Sequence, residues 1–320
     1  KKITGSKVIK DFQGLATDSR MVKKNNLFLT IKGKNNDGSK FIPHALNKGA
    51  RYIVSSKVEK RYRKKTLKVK NEILFLNKFA KLKRESSLAK IIAITGSVGK
   101  TSLKNLLKQL LQNFAKTYSS PKSYNNHLGV PISLSNLTSE DKYGVFEIGM
   151  SKKGEIDNLS KLIKPHIGII TNIGEAHIEN FTNIYGIAKA KSEIINSIER
   201  NGTIILNRDD KFFNFLRKKA KLKKLKIITF GKDKKSDIFP LLFLKSSDST
   251  KIVFKVKKEK INLEFKNINI YNIMAALAVI KELNHNPNNI KKILRDFEPT
   301  EGRGKIHIIS RYNKKFYLID

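Results

Sequence analysis

The sequence predicts an α/β protein with a small N-terminal α/β domain and a central domain built on a parallel sheet with a P-loop-type turn. Three observations support this fold class. After residue 91 apolar runs alternate with helical stretches, a glycine-lysine turn joins one such run to an amphipathic helix, and 39% of residues are hydrophobic. A chain of 320 residues has enough material for about two domains with buried cores.

Residues 1–82 are expected to form the small N-terminal domain. Short apolar runs alternate there with polar turns, namely NLFLTI, RYIVSS and EILFL. HALNKGA is typical of a short helix that ends at Gly49. The charged stretch that follows contains no large apolar cluster, so residues 83–90 are predicted to be a linker or a helix leading into the next domain.

Residues 91–312 are expected to form the central domain. Its apolar runs are nearly continuous, which is typical of strands buried on both faces of a parallel sheet: IIAIT, YGVFEIG, HIGIITNIG, GTIILN and KIITFG. KIVFKV and INLEF, within about 236–266, resemble an antiparallel insertion, and helices are predicted at 269–283 and 288–296. Residues 313–320 are expected to start a link to a further domain.

The stretch IIAITGSVGKTSLKNLLKQLL, residues 91–111, runs from an apolar strand through glycines into a helix. Its leucines recur with the period of one helix face, at Leu103, Leu106, Leu107, Leu110 and Leu111. The helix is therefore expected to begin close to Lys100. A strict Walker A pattern has glycine where this chain has Ile94, yet a GKT sequence between a buried strand and a helix still predicts nucleotide binding.

The turn itself supplies the groups that a nucleotide phosphate needs. Gly96 and Gly99 allow the backbone to curl around phosphates, and the N–H groups of the helix N-terminus attract anions. Lys100 can reach the β and γ oxygens, and the hydroxyl of Thr101 can ligate Mg²⁺. The predicted nucleotide-binding loop is completed by Ser97, Val98 and Ser102.

Charged residues follow two of the predicted strands. Glu147 ends YGVFE, and Glu175 and His177 follow HIGIITNIG, where a parallel sheet presents side chains to its ligand-binding edge. A carboxylate at that edge can hold Mg²⁺ beside ATP phosphates. Taken alone, Glu147 could also be a solvated strand-end residue, and His177 could equally be a structural one.

The net charge of +39 invites a nucleic-acid interpretation, but its distribution argues against one. Only 11 of the 66 basic residues are arginine, and the lysines are spread along the chain beside many Asn and Ile, which share A/T-rich codons. No base-stacking aromatic pattern accompanies the lysines. We therefore expect no specific nucleic-acid partner.

Several other classes are excluded or disfavoured by composition. The absence of cysteine rules out disulfides, thiolate metal sites and a cysteine nucleophile. No uninterrupted apolar run has membrane-spanning length and no signal peptide is visible, so we expect a soluble cytoplasmic protein without membrane insertion.

Several segments together resemble the Mur ligase family of ATP-dependent amide-bond-forming enzymes. They are TGSVGKT, EIGMSKKGEIDNLSKLIKPHIGIITNIGEAHIENF and IAKAKSEI, with TDSRMVKKNNLFLTIKGKNNDGSKFI resembling the UDP-binding N-terminal domain and SYNNHLGVPISL the substrate loop. The resemblance implies the family member that joins D-Ala-D-Ala to the UDP-N-acetylmuramoyl tripeptide, through an acyl phosphate, with ATP and two Mg²⁺ ions, in peptidoglycan precursor synthesis. The family's third, Rossmann-like domain is expected to be absent from these 320 residues.

The resemblance also implies roles for residues of the central domain. It puts Lys100 on the ATP phosphates, Thr101 and Glu147 at a first Mg²⁺, and His177 at a second. Lys191, the second lysine of AKAK, matches the family's carbamylated lysine. The resemblance therefore makes Lys191 a catalytic residue, together with Lys100 and His177. It also makes Lys191 a fourth metal ligand. Without the resemblance, Lys191 is one helical lysine among many.

The substrate-binding residues implied by the resemblance lie outside the phosphate loop. Asn125 and Asn126 match an asparagine pair beside the nucleotide-sugar site, although an NN turn could equally be backbone punctuation. Asp18, Ser19 and Arg20 match a uridine-binding DSR sequence, for which a surface turn is the alternative. The forked donors of Arg20 suit a diphosphate.

On the adenine side, NINIYNIMAALAVI resembles the start of a nucleotide-binding helix. Asn269 and Asn272 are expected to read adenine through their amides, and Arg303 matches an arginine that contacts ATP phosphates. The family pattern has His where this chain has Ile268 and Gly where it has Lys266. The way in which this edge binds adenine is therefore left open.

Two other functions remain open from the sequence. A sister ligase of the same family would add a different amino acid, and a non-catalytic module would bind nucleotide and UDP-sugar without turnover. The chain is expected to act as a monomer.

Overall fold

The computed structural model describes residues 12–33, 37–245, 249–298, 306–311 and 314–319. The chain divides into two compact units. The first consists of Lys1–Leu88 and Tyr124–Glu140, and the second of Ala89–Ser123 and Asp141–Asp320. Residues 124–140, which the sequence analysis assigned to the central domain, are therefore part of the N-terminal unit.

The helices and strands follow in chain order. The strands are β1 (Leu15–Ala16), β2 (Leu27–Leu29), β3 (Tyr52–Ser55), β4 (Thr66–Lys68), β5 (Lys90–Thr95), β6 (Thr117–Ser119), β7 (Tyr143–Glu147), β8 (Ile167–Ile170), β9 (Thr203–Asn207), β10 (Lys226–Phe230), β11 (Ile238–Lys245), β12 (Thr250–Val256), β13 (Glu259–Phe265), β14 (Ile306–Arg311) and β15 (Lys314–Ile319). The α-helices are α1 (Ile42–Asn47), α2 (Glu72–Glu85), α3 (Lys100–Gln112), α4 (Gly129–Ser135), α5 (Glu155–Ile163), α6 (Ile184–Lys191), α7 (Phe213–Leu222), α8 (Ile270–Glu282) and α9 (Lys291–Arg295). Short 3₁₀ helices lie at Ser19–Met21, Gly38–Phe41, Lys60–Lys65, Ile178–Asn180, Ser192–Ser197 and Pro287–Ile290.

The N-terminal unit contains a parallel sheet in the order β1-β2-β3-β4. Two of its three predicted apolar runs form strands, β2 and β3, and the predicted short helix is α1, with Gly49 at a φ of 97° after it. The third run, EILFL, opens helix α2, because a short apolar run by itself does not distinguish a strand from a buried helix face. Helix α2 continues to Glu85, into the predicted linker.

Helix α4 belongs to the N-terminal unit through both packing and hydrogen bonds. Ile132 of α4 shares a core with Phe75 and Leu76 of α2. The Asn136 side chain accepts a hydrogen bond from Leu15 N (2.9 Å) and donates one to Leu15 O (3.0 Å), as a neighbouring strand would. These contacts were not visible in the sequence because they join residues between about 56 and 121 positions apart.

The second unit is built on one sheet in the order β13-β12-β11-β10-β9-β8-β5-β7-β6. Strands β5 to β10 are mutually parallel, as predicted. Strand β11 continues the sheet by parallel pairing with β10, and β12 and β13 extend it further by antiparallel pairing. Strand β5 lies between β8 and β7. The chain continues from β5 to β6 and β7 on one side of it, and then crosses to β8 on the other side. Such a switch point opens a crevice at the carboxyl ends of the strands, where α/β proteins bind ligands. Strands β14 and β15 form a separate antiparallel pair.

Helix α3 begins at Lys100, as the leucine period predicted. Its five leucines are buried against the sheet and against helix α8, in one core with Ile92, Ile94 and Met274. This packing fixes the helix N-terminus over the carboxyl end of β5. Within the described part of the chain, no helix is long and apolar enough to cross a membrane.

Replacing Leu107 with alanine should destabilise this unit by about 2–5 kcal/mol, because the side chain is 0% exposed and truncation leaves a cavity. Leu222→Ala is the matched control, since that leucine is 77% exposed and its loss should change the unfolding free energy by less than about 0.5 kcal/mol. Urea unfolding of both variants tests this, and equal effects would contradict the packing described for α3.

Candidate active site

The phosphate loop leaves β5 in a conformation that only glycine adopts easily. Gly96 has a φ of 150°, and a Cβ on it would lie 1.9 Å from the hydroxyl of Thr171. Gly99 has a φ of 85° and forms the N-cap of α3. The loop therefore turns back over the N-terminus of α3, whose first N–H groups have no acceptors inside the helix.

Residues that follow β8 clamp this loop. The Asn172 Oδ1 atom accepts hydrogen bonds from Ser97 N (3.1 Å) and Val98 N (2.9 Å). Thr171 Oγ1 donates to Val98 O (2.7 Å), and Ser97 Oγ exchanges hydrogen bonds with the backbone of Gly174 (2.8 and 2.9 Å). Thr171 and Asn172 lie within the apolar run HIGIITNIG, and no role was predicted for either.

The Lys100 side chain lies back over its own loop. Its ammonium donates to Gly96 O at 2.7 Å and to Ser97 O at 3.3 Å. The positive charge is therefore held within the loop that is expected to surround the phosphates.

Thr101 and Glu147, the two predicted ligands of a first Mg²⁺, are in direct contact. Thr101 Oγ1 donates to Glu147 Oε2 at 2.8 Å, and the Glu147 residue is 1% exposed. Hydroxyl and carboxylate oxygens are the donors that Mg²⁺ prefers, and both lie beside the phosphate loop, so the residues present fit this ion. The Ser120 Oγ atom accepts from Glu147 N (3.3 Å), which helps to fix this strand end.

Lys191 is the last residue of α6 and is 2% exposed. Burial, and then the positive charge of Lys100, lower its pKa from 10.5 to about 7. Two residues later, the Glu193 carboxylate accepts from Gly154 N (2.9 Å) and Asp157 N (3.1 Å) at the start of α5. The structure thus puts Lys191 in a dry environment near Lys100, on a segment anchored to a neighbouring helix.

His177 has a left-handed backbone, with a φ of 65°, and its side chain is half exposed. Its Nδ1 atom lies 3.7 Å from Glu179 Oε1. Among the residues that the structure describes, no three His, Asp or Glu side chains are grouped as a metal site. A site that included Thr101 or Lys191 would not form such a group, so the metal-binding role of His177 stays a prediction.

At the N-terminus of α8 the two predicted adenine residues have different surroundings. Asn269 caps the helix, its Oδ1 accepting from Tyr271 N at 2.8 Å. Asn272 is buried beside the phosphate loop, its Oδ1 3.0 Å from where a Cβ on Gly99 would lie. The Tyr271 hydroxyl donates to Asp209 Oδ2 (3.0 Å), and burial, with this contact, raises the pKa of Tyr271 to about 12.

The two acidic residues of NRDD were missed by the sequence analysis. Asp209 accepts from the backbone N–H groups of Lys232 (2.6 Å) and Asp233 (3.1 Å), while Asp210 accepts from Ile173 N (2.6 Å). They therefore tie together loops that follow β8, β9 and β10. An acidic pair directly after a buried apolar run was the signal that could have identified them.

In the N-terminal unit, Asp18, Ser19 and Arg20 form one compact turn. The Asp18 carboxylate accepts from Arg20 N (2.9 Å) and from its guanidinium (2.7 Å), and the Arg20 side chain is largely exposed. Ser19 is buried instead, with its Oγ atom 2.9 Å from His44 Nδ1. Of the three side chains, that of Arg20 is the most exposed, at 82%.

The asparagine pair lies at the start of α4. Asn126 Oδ1 accepts from Leu128 N (3.1 Å) and Gly129 N (2.9 Å), so its side chain orders the backbone that enters the helix. Asn125 is partly exposed beside it. Arg303, predicted to contact ATP phosphates, lies outside the described residues.

Comparison with known proteins agrees with this geometry. Residues 94–280 match the Mur ligase middle domain, and residues 11–84 match the family described as Mur ligase family, catalytic domain. The UDP-N-acetylmuramoyl-tripeptide--D-alanyl-D-alanine ligase of Rickettsia prowazekii is 37% identical over 90% of this chain. The enzyme of the same name from Buchnera aphidicola subsp. Baizongia pistaciae is 34% identical over 82% of it. The chain spans 65% and 57% of these two relatives, less than two thirds of their length.

Solved structures are similar over nearly the whole chain. A crystal structure of MurF from Acinetobacter baumannii has a TM-score of 0.82 and 30% identity, over 95% of this chain and 66% of its own. MurF from Thermotoga maritima in complex with ADP has a TM-score of 0.78 and 26% identity, over 93% of this chain and 70% of its own.

Replacing Asn172 with alanine should weaken the binding of ATP about tenfold, because Ser97 N and Val98 N lose their shared acceptor and the loop loses its shape. Isothermal titration with a non-hydrolysable ATP analogue measures this. Asn180→Ala is the control, since the described contact of that side chain is to the adjacent Glu179 at the surface. Unchanged affinity in Asn172→Ala would show that the clamp does not shape the phosphate site.

Proposed function

The chain belongs to the Mur ligase family, and from this membership we propose that the protein is an ATP-dependent carbon-nitrogen ligase. It joins D-Ala-D-Ala to the UDP-N-acetylmuramoyl tripeptide in peptidoglycan precursor synthesis. The observation that carries the proposal is the contact of Thr101 with the buried Glu147 beside the phosphate loop. The names of the relatives support the choice of substrates.

The proposed reaction has two steps. A tripeptide carboxylate oxygen attacks the γ-phosphorus of ATP, which forms an acyl phosphate and releases ADP. The amine of D-Ala-D-Ala then attacks the acyl carbon, forming the peptide bond and releasing phosphate and a proton. Lys100, which already lies within the loop, would turn outward to neutralise charge on the transferred phosphoryl group.

Two Mg²⁺ ions are proposed as cofactors. Thr101 and Glu147 would hold the first, and His177 and Lys191 the second. The ions would screen the repulsion between three anionic partners during phosphoryl transfer. Support for the first site is the oxygen donor pair described above, whereas support for the second is the family resemblance.

Lys191 can serve as a ligand only after its amine has reacted with CO₂, which forms a carbamate and releases a proton. The neutral amine is the reactive form. Burial and the charge of Lys100 lower the Lys191 pKa to about 7, so a large share of the amine is neutral near physiological pH. This electrostatic environment supports carbamylation of Lys191 independently of the family resemblance.

The remaining site residues are proposed as ligand contacts. Asp18, Ser19 and Arg20 would bind the UDP part, and Asn125 and Asn126 the substrate beside it. Contacts to the ATP base and phosphates are assigned to Asn269, Asn272 and Arg303. The Oδ1 atoms of Asn269 and Asn126 already accept hydrogen bonds from backbone N–H groups where helices begin. These two residues would therefore contact their ligands through the side-chain NH₂ groups.

We further propose that the protein acts in the cytoplasm, since its proposed substrates are soluble molecules, and that it acts as a monomer. A sister ligase that adds another amino acid is the alternative within the family. A non-catalytic module that binds both nucleotides is the alternative outside it.

Phosphate release from ATP by the full-length protein should require both UDP-N-acetylmuramoyl tripeptide and D-Ala-D-Ala, because the second substrate consumes the acyl phosphate. Lys100→Ala should lower the rate by at least about a hundredfold. Lys108→Ala, an exposed lysine on the same helix, is the control and should retain activity. Release with another amino acid would favour a sister ligase, and binding of both nucleotides without release would favour the non-catalytic module.

The lowered pKa of Lys191 should also make stability depend on pH. Between about pH 7 and 10.5 the unfolded chain holds a proton that the folded protein has released, so the free energy of unfolding should rise with pH. In CO₂-free buffer, Lys191→Met should flatten this rise relative to wild type. Lys189→Met, an exposed neighbour, should leave it in place. Parallel pH dependence in Lys191→Met and wild type would mean that Lys191 titrates normally.

A further inference from the structure

Lys104 is a buried cation for which the proposed reaction has no use. It lies on α3 one helical turn after Lys100, and the residue is only 1% exposed. Burying an ammonium group is costly unless acceptors surround it. A lysine at this position, beside five core leucines of the same helix, implies that its charge stabilises something specific.

The Lys104 ammonium donates a hydrogen bond to the backbone carbonyl of Lys122. Lys122 has a φ of 45°, in the left-handed region that costs a residue with a side chain about 1 kcal/mol. Such conformations persist where surrounding contacts determine them. A charge-assisted hydrogen bond to the carbonyl of that residue is a contact of the required kind.

The loop that contains Lys122 lies at a functional position in the sheet. It follows β6, next to β7, which ends in Glu147. Ser120 N donates to Val145 O (3.0 Å), and Ser120 Oγ accepts from Glu147 N (3.3 Å). The first part of the loop is therefore tied to the strand that presents Glu147, and Lys104 holds its second part.

Two residues after Lys122, the chain enters the segment that begins at Tyr124 and contains Asn125 and Asn126. Loss of the Lys104 contact would free the backbone directly before that pair. Because Lys104 is buried, it acts on this backbone and does not itself touch substrate.

We propose that Lys104 is a positioning residue that fixes residues 120–123 and thereby sets where Asn125 and Asn126 meet the UDP-linked substrate. The assignment of a UDP-linked substrate rests on the proposed function.

The test compares Lys104→Met, which keeps the length of the side chain without its charge, with Lys108→Met as a matched control. Lys108 lies one turn further along the same helix and is exposed. Hydrogen exchange followed by mass spectrometry on the full-length protein should show about tenfold faster exchange in peptides covering 119–126 for Lys104→Met only. The KM for UDP-N-acetylmuramoyl tripeptide should rise about tenfold, while the KM for ATP changes less than about twofold.

Equal rises in both KM values, or unchanged exchange at 119–126, would overturn the proposal in favour of general core destabilisation. Should Lys104→Met fail to fold, Lys104→Arg serves instead, because it retains a donor and should keep exchange near wild type while Lys104→Gln loses protection. The exchange measurement needs no substrate. If the wild-type protein shows no ligation, the proposed function fails while the role of Lys104 in the loop is still decided by exchange.

Discussion

The hydrogen bonds between the phosphate loop and the residues after β8 are the constraint on which the site depends. The Asn172 side chain accepts hydrogen bonds from two backbone N–H groups of the loop, and the Thr171 hydroxyl donates one to the carbonyl of Val98. These contacts are possible because β5 and β8 are parallel neighbours that end at the same edge. The Thr171 hydroxyl leaves no room for a side chain on Gly96. The same hydrogen bonds hold the turn that directs the N-terminus of α3 toward the position expected for a phosphate.

A layer of buried polar groups surrounds that loop. Glu147 contacts Thr101 and Ser120, Lys104 binds the carbonyl of Lys122, and Lys191 lies within the electrostatic reach of Lys100. Glu147, Lys104 and Lys191 are each at most 2% exposed, so their charges interact more strongly there than at the surface.

Much of the fold could be predicted because hydrophobic periodicity is local. The apolar runs from IIAIT to KIITFG form strands, and the leucine period placed the start of α3 at Lys100. The run EILFL became helix α2, and residues 124–140 joined the N-terminal unit. The first departure arose because a short apolar run is compatible with a strand or a buried helix face, and the second because the partners of residues 124–140 lie far away in the sequence.

For the site, the sequence by itself determined the residue types that suit phosphate and Mg²⁺: the glycines and lysine of the loop, Thr101 and Glu147. Tertiary structure alone decided which of them meet and in what environment. It brought Thr101 into contact with Glu147 and placed Asn172 where it accepts hydrogen bonds from the phosphate loop. It also lowered the pKa of Lys191 through burial. The physical reason is that distance and desolvation arise only when separate strands and helices pack, whereas chemical capacity is a property of each side chain alone.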